Sequence, residues 1–298
     1  MLAARPIGQV AGRLIAAGGT PGMFRAPLGE GALLSPDSVS WQIFRNPVTM
    51  FIGGIAAVLM ELGEPRVRSA VWQHSSFRND PAGRLRRTGF AAMVTVYAAR
   101  SVMVDFTARI RRMHAGVVGE TPDGQAYRAS DPALLRWVQG TAAFAFVEAH
   151  QAYLRPLLPS LRARYYAEGI AGGTLYGVED VPASEAAMQA MLAGMQPFLT
   201  PSPILGELIT LVRDAAILPF ALRGMQHLIV RAAVDLLPET IRNTLALGPY
   251  GGLAGPERLL LRALARMAET ARFPTSPAAQ ACRRLGLPGD YLLRRPLA

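Results

Sequence analysis

Hydrophobic positions recur with a helical period along most of this chain. The longest uncharged apolar run covers residues 48–60 and stops at Glu61. It is too short to span a bilayer and suits a buried helix over 47–62. Asn46-Pro47 opens that helix as a cap followed by a proline at the first helical position, and Ser35-Pro36 reads the same way. Gly53-Gly54 inside the run allows a second helix to approach closely. Glu64-Pro65 starts a short helix ending near His74, and Asp80-Pro81 starts another. Ser130-Asp131-Pro132 starts a long helix reaching about Tyr153, with Leu135, Val138, Ala142, Phe146 and Ala149 as its apolar stripe. Helix continues from Arg162 to Gly172-Gly173, and again from Pro182 to Met195. Met188, Met191 and Met195 in the latter read as plain core. Segments 203–218 and 219–236 are apolar and broken at Pro219, each with charges that argue against a membrane span. Residues 256–272 and 276–285 are amphipathic, and Arg258, Arg262 and Arg266 form a ridge at i, i+4, i+8.

Period-two alternation is nearly absent, and Pro122-Asp123-Gly124 marks a turn inside a loop over 119–130. No repeat at solenoid spacing is present. The pattern predicts an all-α single domain of about ten or more helices. Its parts are an N-terminal arm with a short helix (1–34), a main body (35–250), and C-terminal amphipathic helices (251–298) packed on the same domain.

Composition narrows the function. A chain of 298 residues with 51% hydrophobic positions builds a substantial core. The net charge is +10, and all 31 basic residues are arginine, so lysine Schiff-base chemistry is excluded. Only 17% of positions are charged, without a dense basic run interleaved with aromatics, which argues against a nucleic-acid partner. The arginine ridge leaves two readings, a solvated face or a site for anionic lipid head groups. Cys282 stands alone, so neither an intrachain disulfide nor a thiolate cluster forms; it reads as a buried, inert thiol. The first residues lack a continuous apolar stretch of secretory-signal length. The expected location is cytoplasmic, with peripheral membrane contact as a second expectation.

The candidate chemistry lies in two stretches. On the helix after Asp80-Pro81, Arg84, Arg87 and Thr88 share a face that continues as Ala91, Ala92 and Thr95. A cationic, hydroxyl-bearing start followed by small side chains leaves room for something flat and anionic. Downstream, Arg111-Arg112-Met113-His114 ends the next helix. On a helical wheel Met103, Thr107, Ile110 and Val118 fall within about 40° of His114. A histidine on such a face is either a satisfied core residue or a neutral imidazole available to iron.

Several ordered motifs carry a family resemblance. They are residues 71–81 (VWQHSSFRNDP), 84–88 (RLRRT), His114 with Val117 and Gly119, 127–132 (YRASDP), Trp137-Val138 and, more weakly, 236–242 (LLPETIR). Over roughly residues 45–245 the chain resembles the latex-clearing-protein (rubber oxygenase) and mpaB oxygenase family. The resemblance implies a globin-like helical core around a haem pocket, haem b as cofactor, and His114 as the iron ligand. It also implies Arg84 and Thr88 beside the haem; nearby arginines, with Arg111 among the cofactor-binding candidates, would neutralise its propionates or hydrogen-bond a bound oxygen. Arg84, Arg87 and Thr88 become the catalytic candidates, and His74 either a second ligand or acid–base group or a hydrogen-bonding residue at a helix end. Two positions depart from the family. Glu64 stands where a histidine is common, and Arg87 where the latex-clearing proteins have a lysine able to close the sixth iron site. Glu64 and Glu168 are candidates for the glutamate of the rubber-cleaving branch; His150 and His227 take no role. The implied function is an oxygenase acting with O2 on an apolar, unsaturated, isoprenoid-like substrate. The alternatives are a haem-binding carrier or sensor without turnover, and a helical scaffold without cofactor. Oligomeric state is left open by the sequence.

Overall fold

Helix α2 (Pro47–Glu61) lies at the centre, packed along the length of α6 (Pro132–Tyr153). The computed structural model describes residues 22–218, 222–295 and 297. Before α2 comes the short α1 (Val39–Ile43); after it come α3 (Pro65–His74), α4 (Pro81–Tyr97) and α5 (Arg100–Ala115). A hairpin, β1 (Val118–Glu120) with β2 (Ala126–Arg128), leads into α6. The chain continues as α7 (Pro159–Tyr176), α8 (Glu185–Met195), α9 (Pro203–Asp214) and α10 (Arg223–Leu236). It ends with α11 (Glu239–Thr244), α12 (Gly255–Thr270), α13 (Pro277–Arg284) and α14 (Tyr291–Arg294). The domain is all-α apart from that one hairpin among the described residues.

The cap-then-proline pairs start helices for the expected physical reason. Asn46 Oδ1 accepts from the amides of Val48 (3.1 Å) and Thr49 (3.3 Å), and Glu64 Oε2 accepts from Val67 N at 2.7 Å. Asp80 Oδ1 accepts from Gly83 N at 2.8 Å and Asp131 Oδ1 from Ala133 N at 2.8 Å. Each proline follows where no amide proton is needed. Gly53 allows α2 to touch α6: a Cβ there would lie 2.8 Å from Phe146 Cδ1 and 3.0 Å from the Ala145 carbonyl oxygen. α10 and α12 pack on α2, so the core runs on into the C-terminal part through Leu261, Ala265 and Cys282.

Several sequence expectations shift. Ser35 does not cap a helix. It accepts from Asp37 N, and the cap is Ser38, whose hydroxyl accepts from Trp41 N. The loop over 119–130 contains the hairpin, too short to show alternation. Residues 22–34 hold turns and one bridge, Ala32 to Ala99, and no helix; the rest of the arm, and the break at Pro219, lie outside the described residues. Met188 and Met191 are buried, and Cys282 is buried with its thiol pushed up to about 11 by burial. Among the described residues no single helix is long and apolar enough to cross a membrane. α2 and α3 are joined by a 111° bend.

Candidate functional site

Arg84 sits in the first turns of α4 and interacts electrostatically with two groups from other helices: Glu61 at the end of α2, and His114 at the end of α5. All three are enclosed by neighbouring helices yet only half-buried by area, so each keeps part of its surface accessible. Burial pushes the Glu61 carboxyl up to about 7, an effect partly offset by Arg84. Burial holds His114 below the usual imidazole range, and the Arg84 charge lowers it further. The imidazole is therefore neutral at neutral pH, and it has no hydrogen-bond partner among the described residues. Arg84 lies over the Phe77 ring, 5.7 Å from its centroid, and donates to Thr88 Oγ1. Thr88 in turn donates to the Arg84 carbonyl at 3.0 Å, locking the pair one helical turn apart.

Thr88 also borders a cavity of about 150 Å³ between α2, α4 and α10, whose walls include Phe51, Ile55, Leu85, Met93 and Ile229. That wall is almost wholly apolar, so the space suits hydrocarbon and repels water. On another side His114 lines a surface groove of about 540 Å³ with Arg111, Arg112, Leu135 and Tyr176. Arg111 packs over the left-handed Gly177 (φ +93°) that ends α7; a Cβ there would lie 3.5 Å from Arg111 Nε. Neither Arg111 nor Arg112 has a carboxylate at ion-pair distance among the described residues.

The structure brings together Arg84, Thr88 and His114, and puts Arg111 on the same groove as His114. It places two other candidates elsewhere. Arg87 is exposed, donates to Ser76 Oγ, and pairs with the Asp80 cap at 3.4 Å. His74 is exposed at the end of α3. Its Nε2 donates to Tyr127 Oη at 3.2 Å, because that hydroxyl donates onward to Gln73 Oε1 at 2.8 Å. The contact clasps the hairpin to α3. Glu64 and Glu168 are both committed. Glu64 caps α3 and pairs with Arg66 at 2.6 Å. Glu168 accepts from Val39 N, Ser40 N and Ser40 Oγ at the start of α1, at 2.7–3.0 Å. Met103 and Thr107 are buried on the His114 side of α5, but that helix ends at Ala115, so Val118 belongs to β1 instead.

Glu61 is the residue that the sequence reading passed over. Its signal was its position, an acid closing an otherwise apolar helix. It forms no side-chain hydrogen bond or ion pair among the described residues.

Residues 41–272 match a family model described as ER-bound oxygenase mpaB/B'/rubber oxygenase, catalytic domain. No curated protein and no solved structure gave a significant match.

Proposed function

The chain belongs to the mpaB and rubber-oxygenase catalytic-domain family, and from that premise we propose that it is a haem b-dependent oxygenase acting with O2 on an apolar, unsaturated, isoprenoid-like molecule. The residues fit such a cofactor. Iron already held by a porphyrin needs only an axial side chain from the protein, and His114 offers a neutral, unengaged imidazole. Arg111 and Arg112 suit the two propionates of haem b, because neither is neutralised by an acid of its own among the described residues. When bound, the haem supplies redox-active iron able to activate oxygen.

The chain's own residues supply the rest. Arg84 remains protonated even when buried, so it keeps a fixed positive charge beside His114 and Glu61. The Phe77 ring and Thr88 hold it in place. Glu61 titrates near neutral pH and can hold or release a proton there without a large driving force. The apolar cavity bordered by Thr88 would take a benzene-sized portion of a hydrocarbon and exclude water.

The grouping of Glu61, Arg84 and His114 carries this reading. Oxygen uptake by the purified, haem-loaded protein with a short polyisoprene oligomer tests it. Uptake should need the oligomer and fall at least about tenfold in Glu61→Gln, as expected for loss of an acid–base group. A haem-loaded protein that consumes no oxygen with any unsaturated hydrocarbon would support the carrier or sensor alternative.

A further inference from the structure

Helix α12 turns an apolar face outward. Leu261, Ala265 and Ala268 are buried on its inner side. On its outer side Leu259 is 65% exposed, Leu260 49% and Met267 46%. At 100° per residue these three, with the exposed Pro256 and Ala263, form one strip along the helix. Such a strip is unusual for a surface helix, whose outward face is normally polar.

Arg266, the outermost member of the arginine ridge, borders one edge of the strip, and Arg262 and Arg258 follow it round toward the body of the domain. Arg266 is exposed and has no ion pair among the described residues. Arg258 has its nearest carboxylate, Asp235, 3.9 Å away, while Arg262 donates to the Ala152 carbonyl at 2.9 Å. The acids of the helix are already spent. Glu257 pairs with Arg231 at 2.7 Å and caps Ala254 N, and Glu269 is held by Arg45 and Asn46. The face therefore presents hydrocarbon flanked by positive charge.

We infer that α12 is a docking surface for an anionic phospholipid bilayer, lying in the plane of the head groups. Leu259, Leu260 and Met267 would enter the acyl boundary, and the arginines would meet phosphate and carboxylate groups. The charge decides between occupants. A second copy of this chain, itself at +10, would bring a like-charged edge against Arg266. The inference does not depend on the haem reading, because none of these residues belongs to the candidate site.

Flotation of the full chain with phosphatidylcholine vesicles, with and without phosphatidylserine, tests it. Wild type should float with the phosphatidylserine vesicles and not with the others. The triple variant Leu259→Ser, Leu260→Ser, Met267→Ser should lose at least about tenfold in binding. Arg266→Gln should lose about fivefold, and Arg100→Gln, an exposed arginine away from α12, should lose none. Should the triple variant melt early, Leu260→Trp replaces it, with a blue shift in its added emission on phosphatidylserine vesicles as the expected result. Equal binding of wild type and triple variant, or an unshifted emission from the Leu260→Trp variant, would overturn the proposal. So would a wild-type dimer that the triple change dissolves while neither form binds vesicles.

Discussion

Glu61 and Arg84 influence one another across the interior without touching: no Arg84 nitrogen comes within ion-pair distance of the Glu61 carboxyl. The arginine is close enough to oppose the rise in the carboxyl's pKa, and too far to cancel it. Folded Glu61 keeps its proton up to about 7, whereas the unfolded group loses it near 4.5. Ionisation therefore favours the unfolded chain as pH rises through that window. The cofactor-free protein should lose on the order of 3 kcal/mol of stability between those values on account of this group. Glu61→Gln should remove that loss. Denaturant melts of both proteins across the window check it, and parallel pH profiles would contradict it.

His150 should act with the opposite slope. Both ring nitrogens are buried without a partner among the described residues, and burial, with Arg155 and Arg45 nearby, holds the imidazole at about 4. The unfolded chain takes up a proton near 6.5, so stability is present above that pH and drains as pH falls toward 4. His150→Leu should flatten the acid limb of the melting profile. His114, also lowered, leaves a smaller residual slope of the same sign. An unchanged acid limb in His150→Leu would contradict the assignment.

Arg84 and Arg87 should separate sharply although they lie on one helix face. Arg84→Ala removes a cation that both Glu61 and His114 feel, and should reduce haem retention severalfold. Arg87→Ala breaks an exposed pair with Asp80, worth about 1 kcal/mol or less, and should leave haem content unchanged. Haem-to-protein absorbance ratios of the two purified variants make the comparison.

Gly53→Ala tests the helix contact at the centre of the fold. The added Cβ would meet Phe146 and the Ala145 carbonyl, so α2 and α6 must move apart. A loss of about 1–3 kcal/mol is expected, as for overpacking elsewhere. Gly54→Ala, where the nearest atom is 4.0 Å away, should cost little or even stabilise. Urea melts of the pair distinguish a close approach from a general helix effect.

The helices were legible because local signals set them. Asn46-Pro47, Glu64-Pro65, Asp80-Pro81 and Asp131-Pro132 all start helices where the caps and prolines lie. Of the candidate site, the Arg84–Thr88 pair was legible from its i, i+4 spacing. Two things were not. Shared helix faces did not show that Arg87 bends back to Ser76 and Asp80, because a long side chain can leave its face at little cost. Nor did the sequence reveal Glu61 as the neighbour of Arg84, since that proximity comes from the packing of α2 against α4. The hairpin was hidden for a simpler reason: three residues per strand are too few for a period.

His114 as the iron ligand is the central claim, and an absorption spectrum with haem extraction tests it most directly. Wild-type protein should carry about one haem b per chain, and His114→Ala should lose it or shift its Soret band, because the axial ligand supplies both orientation and affinity. A purified His114→Ala protein with the wild-type haem content and an unmoved Soret band would contradict the account.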